Sequence, residues 1–291
     1  MNGHGCEGAY MNRAIVFLDI DGTLFGRDHV IAPSTLDAIH TAQRNGHLVF
    51  IDTGRSRPEI DDEVLAPGFD GIVGAIGAYV EIDGKVLLDR FIDPAVVTHA
   101  SHVFDEIGVN YMWQSSRGLW ASAGYMAHVD WVRRTMHPGY GGDWWRVLED
   151  AKAEAWLDKV PLGELVPGSK CTFFAPSSSR LTLDDIREAV GPSLKIVSGS
   201  MGLEAPTNGE GMTPGVNKGT GLRYVADLYG VDIADTVAIG DSENDTEMIE
   251  TAGVGVAMGN ATDGIKSVAD WVTTAVDDDG IAHTFEHLGL I

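Results

Sequence analysis

Three short clusters carry residues whose types and spacing could do chemistry. The first is Asp19-Ile20-Asp21-Gly22-Thr23-Leu24, directly after the apolar run Ala14-Ile15-Val16-Phe17-Leu18. Two carboxylates two positions apart at a strand end point into one crevice and suit a hard cation such as Mg²⁺. Gly22 permits the tight turn that brings the second carboxylate round. An isolated Asp-Gly is ordinary turn chemistry, but Asp-x-Asp-Gly-Thr on a buried strand asks for more than a turn. The second cluster, Asp52-Thr53-Gly54-Arg55, closes the run His47–Ile51. It offers a hydroxyl, backbone N–H groups and a guanidinium, a set that could hold a phosphoryl group; Thr-Gly after a strand is also common turn chemistry. The third is Gly240-Asp241-Ser242-Glu243-Asn244-Asp245. Its acids could decorate the first turn of a helix, where negative charge is favoured, and Asp245 does so in part on this reading. An acidic strand end facing Asp19 and Asp21 nonetheless needs a cation to relieve its repulsion. Lys218, in Val216-Asn217-Lys218-Gly219-Thr220-Gly221, could supply a fixed positive charge. The Gly-x-x-x-x-Gly-Lys-Ser/Thr phosphate loop is absent, which excludes that mode of nucleotide binding.

The elements that must position these clusters alternate. Continuous apolar runs at Ala14–Leu18, His47–Asp52 and Gly71–Ile76 read as strands buried on both faces. Helical patterns lie between them, from Pro33 to a stop at Gly46 and from Arg57 to Leu65. Such alternation predicts an α/β fold, a doubly wound parallel-sheet (Rossmann-like) core. Tyr79–Leu88 contains Asp83-Gly84 between two short strands, a hairpin signal. From there to about Ser198 helices mix with short strands, and six of the seven tryptophans fall in this stretch. It reads as an inserted α+β cap domain. The α/β texture returns at Met201–Ala205, followed by a helix near Gly219–Leu228, strands at Thr236–Ile239, Val254–Met258 and Trp271–Thr274, and a helix from Asn244 to Thr251. The expected organisation is a flexible extension over 1–12, a discontinuous core over 13–83 and 200–291, and the cap over 84–199.

Composition narrows the partners. With 43 Asp and Glu against 20 Lys and Arg, the net charge is −23. A chain this acidic, with no basic stripe, repels a phosphate backbone, so neither nucleic acid nor an anionic membrane surface is an expected partner. Hydrophobic residues at 44% suffice for a sizeable core. No run approaches the roughly 18 apolar residues of a membrane span. Two cysteines, outside any metal-ligand spacing, and an N-terminus without a basic start or apolar stretch predict a cytoplasmic protein.

The four signatures, taken in order, resemble the haloacid dehalogenase-like hydrolase superfamily. The insertion between the second and third resembles the Cof-type subgroup with a type-IIB cap, as do Met258-Gly259-Asn260-Ala261 and Ala269-Asp270-Trp271-Val272-Thr273 near the end. The resemblance implies a Mg²⁺-dependent phosphatase acting on a small phosphorylated metabolite. Asp19 would be the nucleophile, forming an aspartyl-phosphate, and Asp21 the general acid/base. Thr53, with Gly54, and Lys218 would hold the phosphoryl oxygens. Mg²⁺ would sit on Asp19, the Asp21 backbone carbonyl and Asp241. Asn244 would orient the phosphate or the lysine, with Asp245 and Arg55 in support, and Glu243 would face solvent.

Two other readings compete. A phosphomutase or phosphotransferase of the same superfamily needs a second phosphate site, and no Arg/Lys cluster supplies one. A phosphate-binding regulatory module would have neither an inserted cap nor a use for Asp21. The chain departs from the subgroup twice. Gly77-Ala78 lacks the Asn that usually precedes it, so any side-chain contact from that position is lost. The connection from Glu204 to Lys218 is long and rich in Gly and Asn; it reads as a loop over 206–215 that either reaches over the site or, the reading such a composition favours, is a mobile surface excursion. Finally, the stretch Tyr111–Trp145 is dense in rings (Tyr111, Trp113, Trp120, Tyr125, His128, Trp131, His137, Tyr140, Trp144, Trp145); most should form the cap's own core, with one or two facing the crevice.

Overall fold

Ile15–Leu18 forms strand β1, and every residue of it is buried. A strand with no polar face must be covered on both sides, and alternate residues divide accordingly. Val16 and Leu18 join Val49, Ile51, Val237 and Ile239 under the helices Pro33–Arg44 and Gly280–His287. Ile15 and Phe17 pack with Phe50, Val73 and Ala238 against Leu222 and Val225 of the helix Lys218–Tyr229. The computed structural model describes residues 13–26, 30–60, 62–128, 166–176, 178–199 and 207–291. The expected extension over 1–12 and the strand expected at Met201–Ala205 lie outside these residues.

Among the described residues the core sheet has eight strands. They are β1, β2 (Leu48–Asp52), β3 (Gly71–Gly74), β4 (Tyr79–Ile82), β5 (Lys85–Asp89), β11 (Thr236–Gly240), β12 (Val254–Ala257) and β13 (Trp271–Val272). Their order is β13-β12-β11-β1-β2-β3-β4-β5, parallel except that β4 runs antiparallel to both β3 and β5. The chain winds outward from β1 in both directions, so the strand order reverses there. Ligands sit outside the carboxyl ends of strands at such a reversal. Leu18 pairs with both Ile51 and Ile239, which sets Asp19 beside Asp52 and Gly240. All three expected clusters therefore meet at one edge.

Among the described residues the cap holds a second sheet of five antiparallel strands, in the order β7-β6-β8-β10-β9. These are β6 (Asn110–Ser115), β7 (Gly118–Ala121), β8 (Lys170–Ala175), β9 (Lys195–Ser198) and β10 (Thr207–Met212). Trp113, Cys171, Phe173 and Ile196 lie on one face against Val97, Ala100 and Phe104 of the helix Pro94–Ile107 and Ile186 and Val190 of the helix Leu183–Val190. Residues of opposite parity, Gln114, Lys170, Thr172 and Glu210, take the other face, although all four are buried.

Several expectations shift. Strand β5 belongs to the core sheet, so the cap begins later than 84, and β10 belongs to the cap sheet, so the core resumes later than 200. The segment expected as a mobile loop over 206–215 is mostly the strand β10, hydrogen-bonded on both sides to β8 and β9. Its glycines serve packing: a Cβ on Gly209 would stand 2.3 Å from Cζ of Phe173 and 2.7 Å from the Val197 carbonyl. Arg57–Leu65 is not one helix, because Ile60 is extended; it divides into a 3₁₀ turn at Arg57–Glu59 and one turn at Asp62–Leu65. The third strand stops at Gly74, since Ala75, Ile76 and Gly77 all have positive φ.

Gly209→Ala separates strand from loop. A buried strand with no room for the methyl group should lose about 2 kcal/mol in a urea titration. A mobile loop would be unaffected or slightly stabilised, because alanine restricts the unfolded chain.

Candidate active site

The site assembles around one ammonium group. Asn217 caps the helix Lys218–Tyr229, its side chain accepting from the Thr220 N–H, and so places Lys218 at the first helical position. Lys218 is fully buried, and its Nζ donates to Asp19 Oδ1 at 2.6 Å and Asp245 Oδ1 at 2.5 Å. The other oxygen of Asp245 accepts from the N–H groups of Asp241 and Ser242, which locks the turn after β11. Asp52 is also fully buried here, and neither of its carboxylate oxygens has a hydrogen-bond partner.

Four carboxylates, Asp19, Asp52, Asp241 and Asp245, thus share one lysine. Burial by itself would push the Lys218 ammonium down, but Asp19, Asp245 and Asp52 together hold it well above the ordinary lysine range. The surplus negative charge falls on the acids. Burial, then the charge of Asp245, raises Asp19 well above the usual carboxylate range. Asp52 is raised in the same way, mainly by burial. Asp241 is pushed up to about 7, first by burial and then by Asp245. A site in this state lacks positive charge.

The donor set for a cation is present. Carboxylate oxygens of Asp19, Asp241 and Asp245 lie within 4.8 Å of one another. Gly22, at φ +86°, makes room for this: a Cβ there would stand 2.3 Å from Asp241 Oδ2. Thr23 Oγ1 donates to Asp241 Oδ1 at 3.3 Å. All-oxygen, multiply charged ligation suits Mg²⁺. The Asp21 side chain does not join this group. It projects outward, 55% exposed, and Arg55 holds it through both oxygens, at 2.9 Å from Nε and 2.7 Å from Nη2. Arg55 is therefore engaged with Asp21, rather than standing ready for a phosphoryl group as the sequence suggested.

Thr53 is buried at the end of β2, and its Oγ1 accepts from the Arg55 N–H. The left-handed turn after β3 clasps this segment, with the Ala75 N–H on the Arg55 carbonyl and the Ile76 N–H on the Thr53 carbonyl. Ile76, a β-branched residue at φ 55°, occupies an unfavourable region of backbone space, as functional sites often require. Asn244 accepts from Ser242 Oγ, and its Nδ2 lies close to Gly54. A cleft of about 320 Å³ opens beside Asn244, between Ile76 and Asn217 of the core and Lys195, Val197 and Met212 of the cap. Lys195 reaches across it to Glu247 at 2.9 Å. Glu243 is exposed, as expected, at the rim of that cleft.

Residues that sequence reasoning passed over also touch the site. Lys170 and Glu210 of the cap form a buried ion pair at 3.2 Å, and Lys170 Nζ donates to the Gly54 carbonyl at 2.9 Å. Gln114 donates to Glu59, which also accepts from Ser56. The available signal was a lysine heading an otherwise uncharged strand, Lys170–Ala175. Of the cap rings, Trp113 packs in the cap's own core with Trp120 and Tyr111 beside it. Tyr125 is buried on the opposite side, where its hydroxyl meets Thr172 and His128 stacks on Phe174. Trp131, His137, Tyr140, Trp144 and Trp145 lie outside the described residues.

Comparison with known proteins agrees with this geometry. The haloacid dehalogenase-like hydrolase profile matches residues 16–155 and 167–285. The chain is 28% identical over 286 residues to the 5-amino-6-(5-phospho-D-ribitylamino)uracil phosphatase YcsE of Bacillus subtilis, covering 94% of each chain. It is 26% identical over 292 residues to phosphatase YwpJ of the same organism, covering 94% of this chain and 99% of that one. The structure superposes on the subclass IIB sugar phosphatase BT4131 with a TM-score of 0.74 at 23% identity, over 96% of this chain and all of the other. With the parallel core, the inserted antiparallel cap and the acidic edge in place, the chain belongs to the haloacid dehalogenase-like hydrolase family, as a phosphatase of the Cof type with a type-IIB cap.

Proposed function

We propose that the protein hydrolyses a small phosphorylated metabolite through an aspartyl-phosphate on Asp19, with Mg²⁺ as cofactor. One observation carries this reading: Asp19 lies at the sheet's reversal point with a permanently charged Lys218 on one of its oxygens. A carboxylate and a phosphate ester are both anions and react only where their repulsion is offset. Asp19, Asp241 and the backbone at Asp21 would hold the cation, with Asp245 beside them, and the cation would neutralise phosphoryl charge there.

The remaining chemistry belongs to the chain. Lys218, and Thr53 with the Gly54 N–H, bind the phosphoryl oxygens, and Asn244 orients them. An oxygen of Asp19 attacks phosphorus as the bond to the leaving oxygen breaks, and Asp21 gives that oxygen its proton. Water then attacks the aspartyl-phosphate and passes a proton to Asp21, freeing phosphate and restoring Asp19. Arg55 keeps Asp21 aimed between its two tasks. The cleft beside Asn244 gives room for one small leaving group. The named substrates of the relatives, a sugar phosphate and a phosphoribitylaminouracil, are of this size class. Lys170 does not favour a mutase, because its charge is already paired with Glu210.

Expected outcomes fall into three kinds, from variants, from the metal and from pH. Asp19→Asn keeps the fold and lowers kcat on p-nitrophenyl phosphate about a thousandfold or more, because an amide cannot attack phosphorus; residual turnover of several per cent would overturn the assignment. EDTA abolishes turnover and Mg²⁺ restores it, whereas Ca²⁺, with its larger and looser shell, does not; Glu243→Ala leaves turnover near wild type. The third concerns pH. Asp241 binds a proton up to about pH 7 in the metal-free fold, against roughly 3.9 in the unfolded chain. Between those values the folded state holds more protons, so metal-free stability falls as pH rises from about 4 to 7. Asp19 and Asp52 act in the same direction. Differential scanning calorimetry should therefore show Mg²⁺ raising Tm more at pH 8 than at pH 5.

A further inference from the structure

The cap sheet turns a charged face toward the core, and its contacts converge on one short segment. Lys170 lies directly across from Gln114 on β6, and Glu210 directly across from the next core-facing residue of β8, Thr172. Lys170 and Gln114 both reach the core between Gly54 and Glu59. A buried ion pair is a poor way to hold two surfaces together, because desolvating the charges offsets much of their attraction. This one is also incompletely satisfied: Glu210 Oε2 and Gln114 Oε1 have no hydrogen-bond partner. Simple cohesion would be better served by apolar residues of the same size.

The geometry of the Gly54–Arg55 peptide shows what the charge does. The peptide is planar, so its carbonyl and its N–H point in opposite directions. Lys170 Nζ holds the carbonyl at 2.9 Å, and the N–H then falls on Thr53 Oγ1 at 3.1 Å. Lys170 also lies close to the Gly54 α-carbon, together with Asn244 and Ile76. We propose that Lys170 is a positioning residue for the phosphoryl site, acting through the Gly54–Arg55 peptide to orient the Thr53 hydroxyl and the Arg55 that holds Asp21. Glu210 is the buried counter-charge of that ammonium, at 3.2 Å. The role rests on the phosphatase reading given above, in which Thr53 binds the transferring group.

The test replaces both charges at once, since removing one would strand the other. Lys170→Met/Glu210→Met should fold, with Tm within a few degrees of wild type, yet kcat on p-nitrophenyl phosphate should fall about tenfold to a hundredfold. KM should change less than about threefold, because a misplaced hydroxyl is felt chiefly in the transition state. A folded double variant with wild-type kcat overturns the proposal. Amide hydrogen exchange over residues 50–60 of the full chain provides a readout that needs no turnover: it should quicken about tenfold or more in the double variant while β1 stays protected. Unchanged exchange there overturns the inference even if the wild-type protein hydrolyses no phosphate ester, an outcome that would count separately against the phosphatase reading.

Discussion

The ammonium of Lys218 is the constraint on which the site is built. It is fully buried at the first turn of a helix, where the backbone dipole opposes a positive charge. Only carboxylates can keep it there, and Asp19 does so from the end of β1 and Asp245 from the 3₁₀ turn that follows β11. Each contact spans a long stretch of chain, so the helix, β1 and the turn after β11 are fastened to one another at this point. A buried charge that loses its partner typically costs about 3–5 kcal/mol, which makes the arrangement intolerant of change. On the reading proposed above, the same contacts hold the attacking group and a phosphate-binding charge in fixed relation. Stability and the proposed chemistry draw on one set of atoms here, and the surrounding acids are left short of positive charge.

Around that centre the backbone is forced rather than relaxed. Gly22 turns at positive φ because Asp241 fills the space where a side chain would go. Ala75 and Ile76 adopt left-handed conformations that neither residue favours, and in exchange their N–H groups cap the carbonyls of Arg55 and Thr53. The segment following β2 is thus held from below by β3, from the side by Asn244, and from above by Lys170. Little freedom remains for Thr53.

The cap divides its labour by strand parity. Residues such as Trp113, Cys171 and Phe173 bury against the cap helices and account for its stability. Residues of the opposite parity carry Gln114, Lys170 and Glu210 to the core. The glycines of β10 belong to this scheme, since Gly209 lies under Phe173 and leaves the strand flat enough to pair on both sides. Local composition pointed to a loop because glycine and asparagine favour turns, but pairing with two neighbours overrode that preference.

What the sequence by itself determined was the set of buried strands, the tight turn between two of them and the acids that follow the strand ends. Apolar runs without a polar face required buried parallel strands, and acids directly after Leu18, Ile51 and Gly240 had to emerge at one sheet edge. The Asp83-Gly84 turn required a hairpin. These features lie within a few residues of their cause. Tertiary structure alone decided the pairings between distant residues: Lys218 with Asp19 and Asp245, Arg55 with Asp21, Lys170 with Glu210 and the Gly54 carbonyl. Nothing in residue type distinguishes a lysine that becomes fully buried from one that is solvated, and nothing in spacing says that Arg55 is taken up by a neighbour's carboxylate. The boundary between core and cap belongs to the same class, because a strand's sheet is chosen by the hydrogen-bonding partners that reach it and not by its own residues.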